Sequence, residues 1–406
     1  MHLISGPLTG GASLGALNLH RGLLECDINS VILSNDKHAA RSSDIIVRGY
    51  FKDRLTKAVS NLPLRFFFDR KPGSFNTGFG NYNLAKKIEE FEIDVLHVHW
   101  ANGMIGLHDL AMTTLPTLIT LRDMWYFTGG CHYPIQCEKY KNVCDSCPHL
   151  CNLKKTKITR KTQDIKKKVI EKENISIVAI SPWLQRKASQ SQVMENKKIH
   201  YIPNSVDIHN FSFHERLEAR NLLGLPIKKN MILLGAQSIK SDYKGASLLP
   251  EIFSKLDQSK EKTVLVTFGK QPVNYKFQNI AYYHLGFISE RKKLNLLYSA
   301  ADVFLMPSVI EAFGKTIVEA LASGTPVCLF DDTGGAALIR HKKNGYVAKN
   351  QDTDDMIKGV NYILNNIQME DALTLRQMLH DEYNTTSTAK KYIQLYREIT
   401  NTNYNG

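Results

Sequence analysis

The sequence predicts an α/β protein made of two parallel-sheet halves that face a central cleft. Three observations carry that expectation. The chain has 406 residues, enough for two domains at roughly 150 residues each. Short apolar runs alternate with stretches of helical periodicity, which is how parallel strands joined by helical crossovers read. The alternation breaks off near residues 175–205 and then restarts. Hydrophobic residues at 43% and charged residues at 22% are ordinary for a globular chain. They exclude disordered, collagen-like and disulfide-scaffold classes.

In the first half, His2 to Ser5 reads as a short strand, followed by the loop Gly10-Gly11-Ala12-Ser13. Ala16, Leu17, His20, Leu23 and Leu24 then recur at helical spacing. Ile28 to Leu33, Asp94 to His99, Thr117 to Leu121 and Ile175 to Ile180 read as further strands, and the stretch from Asn35 to Asn81 carries no clear pattern. Ser181-Pro182 suits a helix start, with Ser as N-cap and Pro in the first turn. The second half offers strands at Met231–Leu234, Val264–Phe268, Val303–Leu305 and Pro326–Phe330, with helices at Ala246–Leu256, Ser289–Ser299 and Lys315–Ala322. The expected domains are 1–180 and 181–385, with a terminal helix over 386–406 that crosses back to the first. Ligands in such sheets lie beyond the carboxyl ends of the strands.

Lys and Arg number 52 against 39 Asp and Glu, a net charge of +13. Acidic partners follow: nucleotide phosphates, nucleic acid or an anionic membrane surface. No apolar run reaches the roughly 18 residues of a membrane-spanning helix. Met1 to Gly11 has neither a basic start nor a long apolar stretch, so no secretory signal is expected. The expected location is the cytoplasm.

The strongest chemical signal is Glu311-Ala312-Phe313-Gly314-Lys315-Thr316-Ile317-Val318-Glu319-Ala320. It follows a strand and a short loop, and places two carboxylates eight positions apart around a glycine. A helix starting near Gly314 would point free N–H groups at a ligand and favour an anion. Glu319, about one turn inside it, could accept bonds from sugar hydroxyls. Either acid alone could equally belong to a surface helix whose N-terminus favours negative charge. That plainer reading leaves Gly324-Thr325-Pro326-Val327 unexplained.

On these residues the chain resembles the retaining glycosyltransferases of the two-domain GT-B fold, in the large family with a Glu-x7-Glu motif. The resemblance spans nearly the whole chain. It includes Ile202-Pro203-Asn204-Ser205-Val206-Asp207, Lys244-Gly245, Leu285-Gly286-Phe287, Tyr298-Ser299-Ala300-Ala301-Asp302 and Thr333-Gly334-Gly335. Asp123-Met124-Trp125-Tyr126-Phe127-Thr128-Gly129-Gly130-Cys131-His132-Tyr133 and His97-Val98-His99-Trp100 are similar to exopolysaccharide and colanic-acid-type members. The resemblance implies two Rossmann-like domains and a UDP- or GDP-linked sugar as donor. It implies that Glu311 contacts the donor sugar, Glu319 the ribose, and Lys244 the diphosphate. Gly10, Gly11, Phe313, Gly314 and Lys315 join the donor site, and Asp123 joins Glu311 and Lys244 as a catalytic candidate. No catalytic metal is expected, because preorganised N–H groups and a lysine can stabilise the leaving diphosphate. The acceptor is expected to be a saccharide, lipid-linked, in surface polysaccharide synthesis at the inner face of the membrane.

The chain departs from the family in three places. Arg122 stands where a His usually precedes the Asp, and a long planar cation there could meet phosphate or an acidic sugar. The Arg usual upstream of Lys244 is missing, with Lys240 as a substitute or none. The first strand is short.

Five of seven cysteines, Cys131, Cys137, Cys144, Cys147 and Cys151, fall within 21 residues. Four thiolates from Cys131, Cys137, Cys144 and Cys147 could hold a structural zinc. Buried free thiols and local disulfides are the other readings. The nine basic residues from Lys154 to Lys172 are either a solvated helix face or a docking surface for anionic lipid. His97 and His99 alternate on a strand, as core histidines or with one at the cleft. A nucleotide-sugar epimerase, a phosphorylase or a basic zinc-containing nucleic-acid binder are the rival functions. No phosphorylase cofactor lysine is identifiable, and a zinc module would not interrupt a two-domain enzyme, so no nucleic-acid partner is expected. A dehydrogenase is disfavoured, since no Gly-x-Gly-x-x-Gly follows a strand.

Overall fold

A computed structural model describes residues 1–8, 10–36, 43–47, 75–80, 83–84, 88, 91–100, 103–150, 157–235, 241–258, 263–367 and 372–401. The chain divides into two compact units. Unit 1 comprises residues 1–205 and 385–406, and unit 2 residues 206–384.

Unit 1 opens with β1 (His2–Ile4), α1 (Gly11–Leu24), β2 (Ile32–Ser34) and β3 (Ile45–Val47). It continues with β4 (Leu96–Val98), α2 (Leu107–Met112), β5 (Thr117–Leu121), α3 (Ile158–Ile170), β6 (Ile175–Ala179), α4 (Pro182–Ser189) and β7 (Ile199–Tyr201). The sheet order is β3-β2-β1-β4-β5-β6-β7, and every pairing is parallel. Helical crossovers cover both faces of such a sheet, so its strands run apolar without alternation. All five residues of β5 are buried. Ser181 caps α4 by accepting the Leu184 amide at 3.1 Å.

Two expectations move. The strand read from Ile28 begins only at Ile32. Asp27 takes a left-handed φ of 58°, the Ile28 amide closes back on the Leu23 carbonyl, and Ile28 packs against the core beneath α1. Residues 181–205 belong to unit 1, not to the second domain, because β7 pairs with β6 and extends the first sheet.

Unit 2 contains α5 (Arg216–Leu223), β8 (Asn230–Gly235), α6 (Leu249–Asp257), β9 (Thr263–Phe268), β10 (Ala281–His284), α7 (Arg291–Ala300) and β11 (Val303–Met306). It is completed by α8 (Lys315–Ala322), β12 (Val327–Phe330), β13 (Gly345–Ala348), α9 (Thr353–Asn366) and α10 (Ala372–Tyr383). Its sheet is again parallel, in the order β10-β9-β8-β11-β12-β13. β13 starts on a glycine because a Cβ at Gly345 would strike the Val327 carbonyl.

The last helix, α11 (Thr385–Asn401), packs in unit 1 on α1. Gly22 permits the approach, since a Cβ there would stand 2.5 Å from the Thr385 carbonyl oxygen. Ala389, Tyr392 and Leu395 then close over Leu19 and Leu23.

Both sheets are doubly wound. The strand order reverses between β1 and β4 in unit 1, and between β8 and β11 in unit 2. Crevices beyond the carboxyl ends of strands at such reversals are where α/β sheets bind ligands. The loops after β1 and β4 are therefore the candidate ligand-binding loops of unit 1, and those after β8 and β11 the candidate ligand-binding loops of unit 2.

Candidate active site

In unit 2 the reversal brings together the loops after β8 and β11. A single 3-10 turn, Asp242–Lys244, ends at Gly245 in the left-handed region, φ 79°. A Cβ on Gly245 would collide with the Pro307 carbonyl. The Tyr243 carbonyl accepts both the Val309 and Ile310 amides at 3.0 Å. So pinned, the loops place the Lys244 Nζ in hydrogen-bond contact with the Glu311 Oε2. Burial works against the Lys244 charge, but the Glu311 carboxylate outweighs it and raises the lysine pKa. Lys240 lies outside the described residues.

The loop then turns into α8. Gly314 caps the helix with φ 91°, a conformation that costs a side-chain-bearing residue energy. No side chain caps α8, so its first amides are open to an anion. Gly334 donates its amide to the Glu311 carbonyl at 2.6 Å and comes so close to Ala312 that only glycine fits. Phe313 is buried, its ring 5.9 Å from that of Tyr383, and so packs the loop from behind.

Glu319 lies on the second turn of α8 and is 5% exposed. Lys315 approaches its Oε1 at 3.3 Å, and the Tyr298 hydroxyl its Oε2 at 3.4 Å. Burial raises the Glu319 pKa while Lys315 pulls it down. Lys244, Glu311, Gly314, Lys315 and Glu319 thus gather on two neighbouring loops and one helix. Tyr298 was not foreseen as a partner, because an aromatic residue at helical spacing reads as core.

In unit 1, Gly10 caps α1 without a side-chain bond. A Cβ on Gly11 would meet nothing within 4 Å, so there is open space beside the first residue of this helix. Asp123 follows β5, but both its oxygens are engaged: Oδ1 accepts the Trp125 amide at 2.8 Å, and Oδ2 faces His132 Nδ1 at 3.1 Å. Trp125 and Tyr126, on the turn after Asp123, are buried at 4% and 6% exposure.

Cys131, Cys137, Cys144 and Cys147 line one small cavity. Cys131 and Cys144 are buried. Burial pushes their thiols up to about 12 and about 11. Cys151 lies outside the described residues. Among the described residues, the three possible metal ligands that all lie within 4.8 Å of one another are His2, His97 and His99, not the cysteines. Those histidines are poorly suited to a cation. Five of their six ring nitrogens are already bonded, to each other, Thr120, Tyr396 and Arg122.

The basic segment needs correction. Lys166 is fully buried. It donates to the carbonyls of Trp125 and Thr128 and sits 3.7 Å over the Trp125 ring, and burial lowers its pKa to about 7. Lys167 pairs with Glu195 at 2.7 Å, and Lys172 donates to the carbonyls of Ala111 and Thr113. Lys157, Arg160, Lys161 and Lys168 are the exposed cations of this stretch. Lys154 and Lys155 lie outside the described residues. No described helix is long and apolar enough to cross a membrane.

Residues 218–377 match the family Glycosyl transferases group 1, and residues 9–210 match Glycosyltransferase Family 4. Escherichia coli WcaC, assigned to colanic acid biosynthesis as a glycosyl transferase, is 24% identical over 86% of this chain and 87% of its own. An uncharacterized glycosyltransferase of Methanocaldococcus jannaschii is 25% identical over 55% of this chain. The match spans 60% of that archaeal relative's length. Among solved structures, a sucrose-phosphate synthase from Thermosynechococcus elongatus superposes with a TM-score of 0.68 at 16% identity, over 99% of both chains. Anabaena HepE in complex with UDP-glucose gives a TM-score of 0.62 at 14% identity, over 98% of both.

Proposed function

We propose that this chain, whose residues 218–377 match the group 1 glycosyl transferases and whose fold is that of GT-B glycosyltransferases, moves a sugar from a nucleotide-sugar donor to a saccharide acceptor with retention of configuration. The observation that carries this reading is the gathering of Lys244, Glu311 and Glu319 where the sheet of unit 2 reverses. Lys244 and the open amides of α8 would take up the charge that grows on the leaving diphosphate. Glu319 would hold the ribose hydroxyls, and Glu311 would face the donor sugar. On donor arrival Lys244 exchanges part of its contact with Glu311 for phosphate oxygen. The bond from the anomeric carbon to the phosphate oxygen breaks while the acceptor oxygen bonds on the same face. The departing phosphate, now richer in charge, takes the acceptor's proton. Asp123, with both oxygens engaged, acts as a positioning residue for the turn at Trp125.

A UDP-linked donor is the first to test, because a structural neighbour was solved with UDP-glucose; a GDP-linked donor is the alternative. The likeness to WcaC, a glycosyl transferase named for colanic acid biosynthesis, supports a role in polysaccharide synthesis, and a lipid-linked acceptor in surface polysaccharide synthesis is the finer part of this proposal. Thermal shift against a panel of nucleotide sugars tests the reading. A donor at 100 times its dissociation constant should add about 2.7 kcal/mol. If no nucleotide sugar stabilises the protein or is turned over with an oligosaccharide acceptor, the reading fails.

A further inference from the structure

Arg122 directly follows β5 and is 7% exposed. Burial lowers its pKa to about 10, so it is cationic at neutral pH. Its partners among the described residues carry no negative charge. One terminal nitrogen donates to the Asn204 Oδ1, and the other donates to the His99 Nδ1 at 3.0 Å. An arginine can only donate, so His99 accepts at Nδ1 and carries its proton on Nε2, which it donates to the His2 Nδ1 at 2.9 Å. Burial holds both histidines well below their usual range, so they are neutral. The Arg122 Nε is buried and has no hydrogen-bond partner among the described residues.

A buried guanidinium with no carboxylate is costly, by several kcal/mol per ion even after the surroundings relax. The fold nevertheless makes room for it. A Cβ on Gly15, one turn into α1, would stand 2.5 Å from the Arg122 terminal nitrogen. Arg122 therefore lies against the first turns of α1, a helix of 14 residues with no side-chain cap. The positive end of that helix adds to the same field. Two sources of positive potential thus meet beside the point where the sheet of unit 1 reverses, and no anion among the described residues is paired with Arg122.

We propose that Arg122 and the N-terminus of α1 form a binding site for an oxyanion carried by a substrate, a uronate carboxylate or a phosphate ester. Placing that oxyanion on a saccharide substrate rests on the glycosyltransferase reading; the anion site itself does not. Arg122 is then a substrate-binding residue that selects acidic sugars over neutral ones, since a planar fork matches an oxyanion with two parallel bonds.

The test is thermal shift and calorimetry on the full chain with glucuronate, inorganic phosphate and glucose, and with UDP in parallel. Glucuronate or phosphate should stabilise the protein and glucose should not; which of the two does so names the source of the oxyanion. Arg122→Gln should weaken that binding at least tenfold and leave UDP affinity unchanged. Arg122→Lys keeps the charge without the fork, should fall in between, and serves if the glutamine variant does not fold. If neither anion binds the wild type, or both variants bind as the wild type does, the inference is overturned. UDP binding without anion binding sinks this inference alone. Anion binding that depends on Arg122, without any nucleotide binding, keeps the site and sinks the glycosyltransferase reading.

Discussion

The Lys244 ammonium and the Glu311 carboxylate hold each other where the sheet of unit 2 reverses, one on the loop after β8 and the other on the loop after β11. The carboxylate keeps Lys244 charged in a place where burial alone would work against that charge. A lysine so held is a fixed positive charge waiting for phosphate.

Lys244→Ala should therefore lower kcat by about a hundredfold, the size of losing one preorganised donor to developing charge. Steady-state kinetics with the best donor measures it. A rise in KM with kcat unchanged would place Lys244 in ground-state binding instead. Chelation should leave wild-type turnover intact, and a loss restored by magnesium would contradict the role given to Lys244.

Glu319→Ala should weaken UDP binding by about 1.5–3 kcal/mol, the worth of hydrogen bonds to a charged group, with circular dichroism unchanged. Glu311→Ala should spare bare UDP and depress turnover of the sugar donor. Calorimetry on both variants separates the roles. Equal loss of UDP affinity in the two would show that Glu311 does not distinguish sugar from nucleotide.

What could be read from sequence followed from local chemistry. Continuous apolar runs such as Thr117–Leu121 announce buried parallel strands, and Gly314 announces a helix start, because each signal is complete within a few residues. Short edge elements escape that logic. β10 is only partly buried, and β7 is three residues long, so neither carries a continuous run. Pairings such as Asp123 with His132 and Arg122 with Asn204 depend on the fold and leave no periodic trace. The burial of Lys166 was hidden for the same reason. Its neighbours Lys167 and Lys168 suggest a charged face, while helical rotation turns Lys166 inward to the Trp125 and Thr128 carbonyls.

Lys166 gives a pH prediction with a definite sign. Its folded pKa, about 7, lies below the ordinary value of 10.5. Between those two values the unfolded chain holds a proton that the folded chain has shed. Stability should rise with pH across that window, by up to about 1.4 kcal/mol per unit. Below the folded pKa both states are protonated and this dependence ends. Lys166→Met should flatten the slope in urea titrations from neutral to alkaline pH. An unchanged slope would assign the dependence to other groups.

For the cysteines we propose one structural zinc held by Cys131, Cys137, Cys144 and Cys147, since all four line one cavity. Burial keeps the thiols of Cys131 and Cys144 protonated without a metal, with Lys166 acting weakly in the opposite direction, so zinc would have to displace their protons. Elemental analysis of freshly purified, reduced protein should find about one zinc per chain, and Cys131→Ser with Cys144→Ser should lose it and lower Tm. Protein without zinc that is equally stable would leave four buried or half-buried thiols.

The basic surface of α3 yields the membrane prediction, now restricted to side chains that reach solvent. Lys157, Arg160, Lys161 and Lys168 are exposed, whereas Lys166 is buried and Lys167 is paired with Glu195. Attraction to an anionic bilayer is worth about 1 kcal/mol per basic residue near the surface. It should fade with salt, as the Debye length shrinks from about 10 Å at 0.1 M. We expect binding to vesicles rich in anionic lipid, little to neutral ones, and loss in the triple variant Arg160→Glu, Lys161→Glu, Lys168→Glu. Those three side chains are exposed, so the variant should fold as the wild type does. Equal co-sedimentation with both vesicle types, or none at low salt, would leave these cations as a solvated helix face.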